Sequence, residues 1–254
     1  MVPWHEVRRT AHSKGGNNVI PWSLLDTADV PGGGELRLLR RGAEFSIKLG
    51  SNELMNSRLS ATEQALATIA CDKIKGRERP RILIGGLGMG FTLRAALVVL
   101  GKQAQVIVAE LVPAVVAWAR GPMAEMFGDS LTDPRVRIRE TDVGNLIRAA
   151  RSDYDAILLD VDNGPEGMTR AANDGLYDLE GLAAAYMALR PGGVLAVWSS
   201  RPDPKFTQRL RKTGFAVVEN PVRAKGPQGG AQHFIWTATR GDEVPRPMSP
   251  PHRS

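Results

Sequence analysis

The sequence predicts an α/β fold, built on a mostly parallel sheet with helices on both faces. From residue 82 onward, short β-branched runs alternate with helix-length segments, which is the pattern of repeated β-α-β units. A glycine-rich turn joins the first of these strands to the next helix, and acidic residues follow later strands. The chain has 254 residues, of which 43% are hydrophobic, so it can bury a large core. We therefore expect one main α/β unit with small additions.

Seven strands are predicted in this unit. They are Ile82–Ile84, Gln105–Ala109, Val136–Arg139, Tyr154–Leu159, Val194–Trp198, Phe215–Glu219 and His233–Thr239. Helix-length segments separate the first five strands, which are therefore expected to run parallel. Only a Pro- and Gly-rich loop joins the last two, which predicts an antiparallel pair at one edge of the sheet.

The sequence predicts four regions along the chain. Residues 1–33 are rich in Gly, Asn, Pro and Ser, which predicts an irregular leader. Residues 34–76 predict a small β region of alternating apolar and polar residues, followed by a helix that begins after Ser60. Residues 77–240 hold the main α/β unit. Residues 241–254 include four prolines and predict a disordered tail.

Composition excludes several classes of protein. The apolar runs are well short of the roughly 18 residues of a membrane helix, so we expect no membrane span. The N-terminus lacks the apolar core of a secretory signal, which favours a cytoplasmic protein. Cys71 is the only cysteine, and the four histidines lack metal-binding spacing. We therefore expect no disulfide and no metal ion.

The positive charge is concentrated in one segment. The formal net charge is +6, and Arg201–Lys225 contains seven basic residues and two acidic ones. If a helix begins at Pro204, then Lys205, Arg209 and Lys212 share one face of it. Such a face could meet RNA phosphates, but a solvated helix face is the favoured interpretation. We expect no nucleic-acid partner.

The strongest local motif is a glycine-rich turn between a strand and a helix. Gly86, Gly88 and Gly90 form the pattern G-x-G-x-G. Glycines allow a ligand to lie against the backbone, and the N–H groups of the next helix can meet a phosphate or a carboxylate. The G-x-G-x-x-G pattern of dinucleotide sites is absent in both registers. The turn therefore predicts a nucleotide-type site without naming its ligand.

Acidic residues follow three of the predicted strands. Glu110 ends the second strand, where it could accept hydrogen bonds from both hydroxyls of a ribose. Asp142 follows the third strand and could accept from an adenine amino group, and Asp160 and Asp162 follow the fourth. The carboxyl ends of parallel strands share one edge of a sheet, so these side chains should lie close together. For any one of them, a helix cap or a loop charge is the alternative.

With these motifs, the chain resembles the class I fold that binds S-adenosylmethionine, and most resembles the spermidine synthase group of aminopropyltransferases. The resemblance covers roughly residues 35–240. It implies a Rossmann-like, seven-stranded class I methyltransferase sheet after a small N-terminal β region, with residues 77–240 as the S-adenosylmethionine-type domain. It also implies a co-substrate, S-adenosylmethionine or decarboxylated S-adenosylmethionine. The residues implied to bind it are Gly86, Gly88, Gly90, Glu110, Asp142 and Asp160.

The resemblance also implies an acceptor site. The acid of the family that matches Asp160 helps to deprotonate the attacking amine, which makes Asp160 the catalytic candidate. Glu63 and Gln64, in the first helix, stand where the family holds the nucleoside and the acceptor. The candidate substrate-binding residues are Asp162, Glu63, Gln64 and Tyr177. Tyr177 and Trp198 are candidates as aromatic walls, because Asp160 would work best as a base in a partly desolvated pocket. Ordinary packing is the alternative for both aromatic residues.

One residue of the glycine-rich turn separates the functional hypotheses. Met89 stands where the family has an acid that binds the free amine of the decarboxylated donor. The leading interpretation is a spermidine synthase-like transferase that alkylates a small amine. Met89 favours an alternative, a methyltransferase that uses intact S-adenosylmethionine on a small molecule or RNA. A third hypothesis is a catalytically silent nucleoside-binding protein. The sequence leaves open whether the chain forms a homodimer.

Overall fold

The computed structural model describes residues 20–161 and 175–242, and eleven strands in these ranges form two sheets. Three earlier predictions lie outside the described residues. They are the leader over residues 1–19, the site residue Asp162 and the tail from residue 243 onward. The division of the chain at residues 76 and 77 stays a prediction.

The first sheet contains four antiparallel strands in chain order. They are β1 (Ser23–Asp29), β2 (Glu35–Arg41), β3 (Glu44–Leu49) and β4 (Asn52–Asn56). The small β region predicted within residues 34–76 corresponds to β2, β3 and β4 and is confirmed. The predicted irregular leader is wrong for residues 23–29, because they form β1. This strand is mostly exposed and its pairing shifts register between Leu24 and Asp26, so it lacks the alternation that marks a half-buried strand.

The second sheet has seven strands in the order β10-β11-β9-β8-β5-β6-β7. They are β5 (Arg81–Gly85), β6 (Gln105–Glu110), β7 (Val136–Glu140), β8 (Tyr154–Leu159), β9 (Leu189–Ser199), β10 (Ala216–Arg223) and β11 (Gln232–Thr239). Strands β5 to β9 run parallel to their neighbours among themselves, whereas β11 is antiparallel to both β9 and β10. The predicted parallel core and antiparallel edge are both confirmed.

Helices lie on both faces of the large sheet, as predicted. They are α1 (Ala61–Lys73), α2 (Phe91–Val99), α3 (Pro113–Arg120), α4 (Ala124–Phe127), α5 (Val143–Ala149), α6 (Leu179–Ala188) and α7 (Pro204–Lys212). Alternate strand residues point to opposite faces of a sheet. Ile82 and Ala156 accordingly belong to the core beneath α1 to α3, whereas Leu83 and Ile157 belong to the core beneath α5 to α7.

The basic segment includes α7, but it does not present the predicted row of three free cations. Lys205 and Lys212 are exposed. Arg209, in contrast, donates a hydrogen bond to the backbone oxygen of Tyr177 at 3.0 Å and pairs with Asp203 at 3.3 Å. Arg209 therefore ties α7 to the rest of the domain. Within residues 20–161 and 175–242, no helix is long and apolar enough to cross a membrane.

Candidate active site

A cavity lies between the small sheet and the carboxyl edge of the large sheet. Apolar side chains of the small sheet form one wall, and the opposite wall follows the ends of β5, β6, β7 and β8. Gly86–Phe91, Glu110, Asp142, Asp160 and Glu63 all contribute to its lining. The topology therefore brings the predicted loop and three of the predicted strand-end acids to one place. Ligands bind open α/β sheets at this edge.

The turn between β5 and α2 needs glycine at two of its positions. Gly86 has φ +90°, and a Cβ there would lie 2.6 Å from the backbone oxygen of Asp160. Gly90 precedes α2 with φ +74°, and a Cβ there would lie 2.3 Å from the ring of Phe127. Positive φ and these contacts both exclude larger residues. The turn can therefore pass close to Asp160 and Phe127.

Glu110 is a buried carboxylate at the end of β6, with 8% of its surface exposed. Its Oε2 accepts from the backbone N–H of Leu87 at 2.9 Å, and its Oε1 accepts from that of Val112 at 2.9 Å. Burial raises the pKa of Glu110, and the backbone hydrogen bonds oppose that rise. Each carboxylate oxygen can accept a second hydrogen bond. Glu110 thus joins the glycine-rich turn to β6 and lines the cavity.

Asp142 both caps a helix and lines the cavity. It precedes α5, and its Oδ1 accepts from the backbone N–H of Gly144 at 2.6 Å. This contact is the helix cap that the sequence offered as the alternative role of Asp142, and it occupies one carboxylate oxygen. The other oxygen remains available to a donor group in the cavity. The proposed contact with adenine therefore stays a prediction that is compatible with the cap.

Asp160 follows β8 and is held by a threonine of α2. Its Oδ2 accepts from Thr92 Oγ1 at 2.7 Å. Burial and the nearby Glu63 carboxylate raise the pKa of Asp160 to about 7, and the hydrogen bond from Thr92 acts in the opposite direction. A carboxyl group with this pKa gains and loses a proton near neutral pH. That property suits a general base.

Glu63 extends from the first turn of α1 and also lines the cavity. Burial raises its pKa, while hydrogen bonds from its own backbone and from Thr62 lower it. The Thr62 hydroxyl donates to Glu63 Oε2 at 2.9 Å. Glu63 and Asp160 therefore form a pair of partly buried carboxyl groups at one end of the cavity, and a cation between them would reduce their mutual repulsion.

Two of the sequence-predicted acceptor residues lie away from this cavity. Gln64 is exposed, and its side-chain amide donates to Ser60 Oγ at 3.0 Å. Tyr177 is buried in the core beneath α5 to α7, where its ring meets Phe206 edge to face at 5.7 Å. Packing and local hydrogen bonds therefore hold both side chains outside the cavity. Trp198 does form part of the cavity wall, as predicted.

Three polar residues of the site were absent from the sequence prediction. They are Thr62, Thr92 and His233. Each acts on an acidic residue, directly or through a neighbour, and His233 is 171 positions away from its partner Thr62. Threonine and a single histidine carry no spacing signal, so only the folded chain shows them together. Among the described residues, no three His, Cys, Asp or Glu side chains come together as ligands for a metal ion.

Curated proteins similar to this chain are polyamine aminopropyltransferases. The chain is 32% identical to polyamine aminopropyltransferase 1 of Streptomyces coelicolor over 172 residues, or 65% of its length. It is 29% identical to the polyamine aminopropyltransferase of Mycobacterium tuberculosis over 178 residues, or 66% of its length. The chain spans about a third of the length of these relatives, 31% and 32% respectively. No family model matches the chain.

Solved spermidine synthases share the fold. The spermidine synthase in complex with the transition-state analogue AdoDATO has a TM-score of 0.68 at 18% identity, over 87% of this chain and 73% of that one. The spermidine synthase of Thermotoga maritima has a TM-score of 0.67 at the same identity and coverage. In sequence the chain is similar to polyamine aminopropyltransferases, and in fold it is similar to spermidine synthases. This confirms the resemblance and the fold class predicted from sequence. At 18% identity, the solved structures themselves show the shared fold alone.

Proposed function

We propose that this spermidine synthase-like chain is a transferase that alkylates a small amine from an adenosyl-sulfonium donor. The observation that carries the proposal is the joint placement of Glu110, Asp160 and Glu63 along one cavity beside the glycine-rich turn. The similarity to polyamine aminopropyltransferases supports an amine as the acceptor. The solved complex of a spermidine synthase with AdoDATO supports the adenosyl part of the donor. A homodimer and a cytoplasmic location stay predictions.

In this proposal the donor lies along the ends of β5, β6 and β7. Its ribose hydroxyls donate to Glu110, and its adenine amino group donates to the free oxygen of Asp142. The sulfonium then lies beside the glycine-rich turn, toward Asp160. Two hydrogen bonds to a buried carboxylate are charge-assisted, so they contribute strongly to affinity. The glycines at positions 86 and 90 line this cavity, and they let the turn pass close to Asp160 and Phe127.

The reaction is an in-line displacement. The amine nitrogen forms a bond to a carbon of the sulfonium, the bond from that carbon to sulfur breaks, and sulfur leaves as a neutral thioether. The protein mainly has to hold the two atoms about 3 to 3.5 Å apart. Asp160 accepts the proton that the acceptor ammonium must lose before attack, and a positioned base contributes roughly 10²- to 10⁴-fold to the rate. Glu63 attracts the cationic acceptor to the same end of the cavity.

Met89 favours a second candidate function, a methyltransferase that uses intact S-adenosylmethionine. Its side chain is buried and lines the cavity within the glycine-rich turn. An apolar side chain offers no partner to the free ammonium of a decarboxylated donor. Backbone N–H groups at the start of α2 could instead meet the carboxylate of the intact donor.

Calorimetry of the purified chain with three ligands tests the proposal. The ligands are decarboxylated S-adenosylmethionine, S-adenosylmethionine and 5′-methylthioadenosine. Mass spectrometry then identifies the product formed from the preferred donor and 1,4-diaminobutane. We expect binding of the decarboxylated donor and an aminopropylated amine. Preference for intact S-adenosylmethionine with transfer of a methyl group would establish the second candidate, and binding without any transfer would indicate a silent nucleoside-binding protein.

A further inference from the structure

A chain of hydrogen bonds reaches the carboxyl group of Glu63 from β11, the strand next to the edge strand β10 of the large sheet. His233 of β11 places Nδ1 at 3.3 Å from Thr62 Oγ1, and Thr62 Oγ1 donates to Glu63 Oε2 at 2.9 Å. The imidazole ring meets Trp198 edge to face, with ring centres 5.0 Å apart. Trp198 and Glu63 both line the cavity. The imidazole ring of His233 therefore lies between Trp198, a wall of the cavity, and Thr62, which donates to Glu63.

The direction of these hydrogen bonds follows from the number of protons. Thr62 has one hydroxyl proton, and an ionised Glu63 can only accept. When Thr62 donates to Glu63, its oxygen must accept from His233, so Nδ1 of His233 carries the proton. Burial lowers the pKa of His233, which favours a neutral ring with this single tautomer. The hydroxyl of Thr62 therefore has one orientation while Glu63 is ionised.

We propose that His233 and Thr62 are positioning residues that hold the Glu63 carboxylate toward the amine acceptor. This inference rests on the proposed function, because it assigns Glu63 to the acceptor end of the cavity. Thr62 is buried at 3% exposure, and the ring nitrogen of His233 lies within hydrogen-bond distance of its hydroxyl oxygen. Among the described residues, Oε2 is the oxygen of Glu63 that receives a hydrogen bond from another side chain. A fixed Oε2 also fixes the direction of Oε1.

Matched variants separate positioning from general stability. Thr62→Val removes the hydroxyl at nearly constant volume, and Thr62→Ser restores it. His233→Phe keeps an aromatic ring beside Trp198 without a donor, and His233→Asn restores a donor near the place of Nδ1. Thr68→Val is the control within the same helix, because Thr68 is exposed and its hydroxyl donates to the backbone oxygen of Gln64 at 2.9 Å.

Steady-state kinetics with 1,4-diaminobutane give the first test. We expect Thr62→Val to raise the KM for the amine about tenfold, with kcat and donor affinity nearly unchanged, because a hydrogen bond to a charged group is lost. His233→Phe should raise the same KM about threefold. The double variant should be no worse than Thr62→Val, because His233 acts through Thr62. Additive losses, or equal losses of donor affinity, would overturn the proposal.

An NMR experiment decides the same question without turnover. Carbon-13 spectra of the Glu63 carboxyl group, recorded against pH, should show a higher titration midpoint in His233→Phe and in Thr62→Val than in the wild type. His233→Asn, Thr62→Ser and Thr68→Val should keep the wild-type midpoint. An unchanged midpoint in His233→Phe would overturn the positioning role even if the chain alkylates no amine. Lack of turnover with shifted midpoints would overturn the proposed function alone.

Discussion

At the scale of single residues, Glu110 has two tasks that one substitution would remove together. It holds the backbone of Leu87 and Val112, and we assign the ribose hydroxyls of the donor to the same carboxylate. Glu110→Ala should therefore weaken binding of the adenosyl donor by about 2 to 4 kcal/mol, which calorimetry measures. Glu140 ends the neighbouring strand beside Glu110, is exposed and lies outside the cavity lining. Glu140→Ala should leave the affinity unchanged, and equal affinities in the two variants would remove the proposed ribose site.

The acidic pair gives a second prediction at the residue scale. The Glu63 carboxylate contributes to the raised pKa of Asp160, so Glu63→Gln should move that pKa below about 7. The acidic limb of a plot of kcat/KM against pH should then shift to lower pH, because Asp160 is ionised over a wider range. Burial of Asp160 remains, so the shift should be partial. An unmoved acidic limb would show that the two carboxyl groups do not interact.

Sequence and structure contribute differently to these residues. Glu110, Asp142 and Asp160 could be predicted because each follows a strand that the β-branched pattern reveals, and parallel strands end at one edge. Thr92 and His233 could not, because their partners are 68 and 171 positions away in the chain. Gln64 was assigned from a family position and Tyr177 as an aromatic wall, and their own contacts hold both away from the cavity.

At the scale of structural elements, the turn between β5 and α2 determines which donor enters. Met89→Asp should shift preference toward the decarboxylated donor, because the new carboxylate attracts its ammonium and repels the carboxylate of the intact donor. Competition calorimetry with both donors measures the ratio of affinities. Met89→Leu keeps an apolar side chain and is the control. An unchanged ratio in Met89→Asp would show that this turn does not contact the tail of the donor.

The elements themselves differ in how visible they are in the sequence. The central strands β5, β6 and β8 are mostly buried, so their continuous apolar runs stand out. The edge strands β7 and β10 are more exposed, but their β-branched residues still mark them, and all seven strands were predicted. The helix after Ser60 begins at Ala61 as predicted. The edge strand β1 was missed because most of its residues are exposed and two are aspartates. Its formation depends on pairing with β2, which is a tertiary effect.

At the scale of the whole molecule, the raised pKa of Asp160 makes the fold less stable as pH rises. The pKa of Asp160 is about 7 in the folded chain, whereas its ordinary value is 3.8. Between these two pH values the unfolded chain therefore binds fewer protons than the folded chain. Its contribution to the free energy of unfolding therefore falls as pH rises from about 4 to about 7. Asp160→Asn cannot ionise and should be more stable than the wild type at pH 8. Urea unfolding should show this difference shrinking toward pH 4, and a difference independent of pH would contradict the raised pKa.

Turnover of Asp160→Asn at pH 7, measured together with donor affinity, tests most directly whether this cavity performs general-base alkylation. Asparagine keeps the size of the side chain and an oxygen that accepts from Thr92, but it removes the base. The account predicts donor affinity within a few-fold of the wild type and a turnover at least about 10²-fold lower, with partial recovery at higher pH as more amine arrives unprotonated. Wild-type turnover of the amine by Asp160→Asn at pH 7 would contradict the account.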